Sequence, residues 1–265
     1  MAGNVNLDDR SIKVKPRSAF DSLSDVKVPA VTLSFWVIKI LTTGMGETTS
    51  DFFIRRFEPV PVVCLAALGL VGTLLAQWSS RSYHAELYWL AVVMVSIFGT
   101  MAADVLHIVV GVPYVASTIF FAVALAAILG FWRRAEGTLS IHSVRTRRRE
   151  LYYWMTVLAT FALGTAAGDM TATTLDIGYF FSGVLFAVVI AVPAIGYLKF
   201  GLNEVAAFWF AYIVTRPLGA SFADWMGVPP ARGGLDWGTG PVSLALAVLI
   251  AVVVVATRSA IPRKS

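Results

Sequence analysis

Four aspartates recur at one distance from a tryptophan: Asp51 after Trp36, Asp104 after Trp89, Asp169 after Trp154 and Asp224 after Trp209, each fifteen residues on. A glycine stands ten residues after each tryptophan, at Gly46, Gly99, Gly164 and Gly219. On a helix, positions four apart share a face. Stepping back by fours from each aspartate gives Lys39, Thr43, Glu47, Asp51; then Val92, Ser96, Thr100, Asp104; then Val157, Phe161, Thr165, Asp169; then Tyr212, Arg216, Ala220, Asp224. Each stripe lies in an apolar segment long enough to cross a bilayer. Ionisable groups at such depth mark ion paths, proton relays or ligand sites. Carboxylates and hydroxyls are hard oxygen donors, suited to protons or to Mn²⁺ and Mg²⁺ rather than to Cu⁺ or Zn²⁺.

Within this set Glu47 is placed nearest the midplane, where a carboxylate must be paired, protonated or metal-bound. Thr43, Ser96, Thr100 and Thr165 can offer neutral oxygens beside it. Lys39 and Arg216 supply the counter-charge or the gate. His107, three after Asp104, forms a second and weaker candidate metal pair with it. No cofactor is implied beyond a bound divalent cation. There is no P-loop, dinucleotide-binding glycine run, HExxH or CxxC, so no enzyme is expected.

The elements that carry these residues follow from composition. Of 265 residues, 57% are hydrophobic and 14% charged, against about 25% charged in a soluble domain. A polytopic all-α membrane protein is the only class that fits. Four runs lack Asp, Glu, Lys and Arg: residues 59–80, 105–132, 177–198 and 237–257. They alternate with apolar segments near 30–53, 87–104, 151–169 and 205–224 that carry isolated charges. Eight transmembrane helices result, as four two-helix repeats over 28–80, 86–132, 151–199 and 204–258. Each repeat contains an even number of crossings, so all four enter the membrane in the same direction. Parallel repeats with pseudo-fourfold or pseudo-twofold symmetry are expected. The odd helices should line the interior and the even ones face lipid. The repeat tryptophans, with Trp78 and Trp132, fit a cytoplasmic aromatic belt.

Positive charge gathers in residues 1–27, in the segment from Arg133 to Arg149 and after residue 257. That bias places both termini in the cytoplasm. Residues 1–27 read as a disordered cytosolic tail, 28–258 as one membrane domain and 259–265 as a second tail. The net charge of +5 is then an orientation signal, and nucleic acid is not an expected partner. The bilayer and a small cation are, and a homo-oligomer is compatible.

Four tandem two-helix repeats, each with a tryptophan, resemble a bacterial inner-membrane family known mainly as a repeat of unknown function. The resemblance covers residues 28–257 and is strongest in FWVIKILTTGMGETTSD, from Phe35 to Asp51. It implies a fold and an inner-membrane location but brings no activity. The fourth repeat departs from the others by Arg216 and Pro217. The residues themselves point to a transporter or channel for a proton or divalent metal ion. The alternatives are a carrier of a small organic or anionic solute using Arg216 and Lys39, and a scaffold or sensor whose polar core is structural.

Overall fold

A computed structural model describes residues 26–80 and 82–259. The eight expected helices are present: α1 Leu33–Arg56, α2 Pro59–Ser79, α3 Ala85–Asp104, α4 Tyr114–Glu136, α5 Arg147–Asp169, α6 Tyr179–Phe200, α7 Glu204–Gly227 and α8 Thr239–Ser259. Their ends follow local chemistry. Thr32 and Thr146 accept from the free amides of Phe35 and Arg149, and Asn203 caps Val205 and Ala206. Gly137 and Gly201 close α4 and α6 with φ of 71° and 66°, the left-handed turn that glycine adopts without strain.

Six helices are long and apolar enough to cross a membrane by length and composition: α2, α3, α4, α6, α7 and α8. The other two, α1 and α5, hold the densest charge and threonine. They are 24 and 23 residues long and lie side by side with α3 and α7. Each reaches roughly 35 Å at 1.5 Å per residue, so they traverse the same thickness.

The odd helices form a closed ring in the order α1, α3, α5, α7 and back to α1. Each even helix packs mainly on the odd helix that follows it: α2 on α3, α4 on α5, α6 on α7, and α8 on α1. The even helices are the outer shell. Only 11–17% of the residues in their spans are buried, against 50% in α3 and 61% in α7.

The repeat glycines show how the ring closes. A Cβ on Gly46 would overlap Ser96, one on Gly99 would come within 2.8 Å of the Phe161 Cβ, one on Gly164 would overlap Arg216, and one on Gly219 would overlap Thr43. The residue met is always the one eight before the aspartate of the next repeat, and the fourth repeat meets the first. Two seams share an equivalent hydrogen bond. Ser96 Oγ donates to the Thr42 carbonyl at 2.9 Å, and Thr43 Oγ1 donates to the Thr215 carbonyl at 3.2 Å. Small residues let helices approach closely in lipid, where dispersion and interhelical hydrogen bonds drive association. The four repeats are thus related by a pseudo-fourfold axis.

Two boundaries differ from expectation. The charge-free run 105–132 is not one helix: Val105–Val109 is a π-helical turn, and α4 starts only after Pro113. Absence of charge marks apolar depth but not the break that Gly111 and Pro113 impose. A second π-turn, Met170–Thr174, follows Asp169. The other correction concerns the proposed tail. Residues 1–25 lie outside the described residues, but Val26, Lys27 and Val28 are buried. Lys27 Nζ reaches Glu150 at 2.7 Å and the Trp78 carbonyl at 3.3 Å.

Candidate functional site

The ring brings most of the polar stripe onto one axis. Of the three charged departures from the repeat pattern, Lys39, Glu47 and Arg216, the last two meet, Glu47 from α1 and Arg216 from α7. Arg216 Nη2 lies 2.6 Å from Glu47 Oε2, and both side chains are almost wholly buried. The same guanidinium donates to Thr165 Oγ1 at 2.7 Å, to the Thr43 carbonyl at 3.0 Å and to Thr100 Oγ1. Glu47, Thr100 and Thr165 are equivalent positions of repeats one, two and three. Arg216, from the fourth, fills the space between them. Arginine's planar fork of five donors suits this convergence.

Towards the end of the ring where the aspartates lie, carboxylate oxygens of Glu47, Asp169 and Asp224 fall within 4.8 Å of one another. Asp224 is buried and Asp169 half-buried. Asp104 is held by Ser50 Oγ at 3.2 Å. Asp51 pairs with Arg55 at 3.0 Å, one helical turn on. Glu47 is therefore shared between the acidic chamber and the guanidinium. Beyond Arg216, on the tryptophan side, Lys39 is fully buried. Its Nζ makes no hydrogen bond and lies 3.9 Å from the Phe161 ring centroid and 4.2 Å from that of Tyr212.

The remaining candidates divide by contact. Thr43 and Ser96 donate their hydroxyl protons to backbone carbonyls at the seams of the ring. Lys39 does not pair with Glu47; Arg216 does. His107 faces the π-turn instead of joining Asp104 as a ligand. Its Nδ1 meets the Val112 carbonyl at 2.9 Å, its Nε2 meets Ser117 Oγ at 3.2 Å, and its ring packs on Tyr114. Both ring nitrogens are in contact with protein oxygens, so a metal there would displace one of these contacts.

The tryptophans need a larger correction. Trp89, Trp154, Trp209 and Trp132 are buried and Trp36 is half-buried, so of the six tryptophans assigned to that belt Trp78 alone is exposed. They form an aromatic plug across the ring rather than a belt towards lipid. The missed signal is a doublet, because each repeat tryptophan follows another aromatic: Phe35, Tyr88, Tyr153 and Phe208. These eight rings interlock from repeat to repeat, with centroids 5.6 Å apart for Phe35 and Trp89, 5.7 Å for Tyr88 and Trp154, 6.3 Å for Tyr153 and Trp209, and 5.7 Å for Trp36 and Phe208. A residue at each of two adjacent positions faces a neighbour on either side, which a lipid-facing belt does not require.

The family model described as Repeat of Unknown Function (DUF347) matches residues 87–138, 152–201 and 207–260. These are the second, third and fourth repeats; the first completes the same ring without being matched. No curated protein and no solved structure matches the chain.

Proposed function

The chain belongs to that repeat family, a membership that carries no activity, and from the site we propose that it transports a small cation across a bacterial inner membrane. The observation that carries this reading is the approach of Glu47, Asp169 and Asp224 to within 4.8 Å. Three carboxylates so close repel one another in a low-dielectric site and are relieved by a divalent cation or by protons. Asp104 and Ser50 extend the oxygen-lined chamber. On the far side Arg216 closes the axis, and it is a charge that no protein environment removes. A cation that binds Glu47 competes with the guanidinium for the same oxygens. Opening the path therefore requires Arg216 to leave Glu47, and binding in the chamber supplies the differential interaction that favours this. Mn²⁺ and Mg²⁺ match the oxygen donors. The excess of positive charge around Arg133–Arg149 supports cytoplasmic termini and an acidic chamber towards the outside.

The test is uptake of Mn²⁺ and Mg²⁺ into proteoliposomes by the full chain and by Asp169→Asn and Asp224→Asn. Flux that falls about tenfold or more in both variants is expected. Absence of flux in the wild type, or unchanged flux in the variants, refutes the reading.

A small anionic solute is the second reading, and one observation favours it. A cavity of about 390 Å³ at the outer end is lined by Arg55, Arg56 and Arg232 with Phe52 and Pro241. Saturable phosphate binding lost in Arg56→Gln and Arg232→Gln would select it.

A further inference from the structure

The connection between α4 and α5 carries charge that the polar axis does not use. Residues 133–150 hold six arginines and no lysine, against two glutamates, Glu136 and Glu150. Glu150 is turned inward to Lys27 at 2.7 Å. Glu136, at the end of α4, accepts from Arg149 Nε at 2.8 Å and lies 3.3 Å from Arg148 Nε. These contacts fasten the end of α4 to the start of α5, so Arg133 and Arg134 on one lie beside Arg147 and Arg148 on the other. Arg133 turns back onto the Gly137 carbonyl. Arg134, Arg145 and Arg147 are exposed and make no ion pair among the described residues.

We infer that this arginine face binds the phosphodiester headgroup of an anionic phospholipid whose acyl chains lie along α4 and α5. Such a site needs only the bilayer, not a cation path. The placement of the arginines is the first support. Arg147, Arg148 and Arg149 open the first turn of α5, where the unpaired N–H groups of a helix disfavour cations. Glu136 offsets Arg148 and Arg149, while Arg147 has no counter-charge among the described residues. A phosphate there neutralises the arginines and faces the positive end of the helix together. The residue type is the second support. A signal that only orients the chain is met equally by lysine or arginine near the helix ends. All six cations here are arginine, whose planar fork bonds two phosphate oxygens at once where lysine offers a point charge.

The third support is what adjoins the arginines. On α4 the exposed residues Val123, Ala127 and Phe131 lead to Arg134 in steps of four, four and three. On α5 the exposed Met155 and Leu151 lead to Arg147 in steps of four. Positions so spaced share a helix face. Each helix therefore shows the bilayer an apolar stripe that ends in an unpaired guanidinium, which matches the order of acyl chain and headgroup in a phospholipid. A soluble polyanion would meet the arginines and leave both stripes untouched.

The experiment titrates the full chain in zwitterionic detergent micelles with pyrene-labelled phosphatidylglycerol or phosphatidylcholine, read by energy transfer from the protein's tryptophans. Wild type is compared with a triple variant, Arg134→Gln with Arg145→Gln and Arg147→Gln, and with Lys199→Gln, which removes a cation exposed in the last turn of α6. Wild type and Lys199→Gln should bind phosphatidylglycerol about tenfold or more tighter than phosphatidylcholine, and the triple variant no more than about twofold tighter. Equal binding of the two lipids by the wild type overturns the inference, as does an undiminished preference in the triple variant. Displacement of the lipid by inorganic phosphate or a short DNA duplex at equal concentration makes the partner a soluble anion and also overturns it. Arg147→Gln alone guards against a loss of fold. It relieves the start of α5, so without phosphatidylglycerol it should resist SDS at least as well as the wild type, while gaining less protection when phosphatidylglycerol is added. Equal protection of the two proteins counts against the site.

Discussion

Removing the charge from Arg216 should cost more than removing it from Glu47. In Arg216→Gln, Glu47 loses its 2.6 Å partner and faces Asp169 and Asp224 within 4.8 Å with no cation among them. In Glu47→Gln, Arg216 keeps the Thr43 carbonyl, Thr100 and Thr165, and two carboxylates remain nearby. Breaking a buried pair by removing one partner costs about 3–5 kcal/mol. Arg216→Gln belongs at the upper end of that range and Glu47→Gln below it. The double variant should recover part of the loss, with a coupling of about 2–3 kcal/mol. The assay is equilibrium unfolding of the full chain in mixed micelles with rising SDS, run on all four members of the cycle. Hydrogen bonds between membrane helices average about 0.6 kcal/mol. A coupling of that size would mean that charge adds nothing to the contact. It would refute the reasoning, as would a larger loss from Glu47→Gln than from Arg216→Gln.

Further perturbations test the ring and its ends. Gly46→Ala and Gly219→Ala drive a methyl into Ser96 and Thr43 and should each lower stability by about 1–3 kcal/mol. Gly72→Ala, with open space around it, should be neutral or stabilising in the same SDS-unfolding assay. Glu150→Gln weakens the buried contact with Lys27 and should cost about 2 kcal/mol, an effect that vanishes when Lys27 is already Met. In a Cys64→Ser background, Arg134→Cys should react with a membrane-impermeant maleimide only from the cytoplasm and Ala231→Cys only from outside. Reaction from the same side would overturn the orientation.

The architecture was legible because lipid imposes a simple rule: charge-free runs are long, and a polar stripe must turn inward. The Trp–Gly–Asp spacing carried the repeat, and the glycines fixed the ring by admitting the side chain of the next repeat. Less legible was which departures from the repeat find each other. Glu47 and Arg216 are 169 residues apart, and only closure of the fourth repeat on the first makes them neighbours. Position in the stripe also could not say how a hydroxyl is used. Thr43 and Thr100 occupy adjacent levels of similar polarity, yet one bonds the backbone across a seam and the other bonds Arg216. The tryptophans were misplaced for a related reason. An aromatic at the expected depth of an interface fits a lipid-facing belt and an internal plug equally, and the aromatic doublet distinguishes them. The π-turns after Asp104 and Asp169 leave no local pattern beyond the glycine or proline that ends the segment.

On the proposed reading, the carboxylates of Glu47, Asp169 and Asp224 bind a cation in competition with Arg216. Titration of Mn²⁺ into the full chain in nanodiscs of zwitterionic lipid, followed by electron paramagnetic resonance, addresses it directly. Saturable binding is expected, lost in Asp169→Asn combined with Asp224→Asn and tightened in Arg216→Gln. Absence of saturable binding, or binding unchanged by those substitutions, would contradict it.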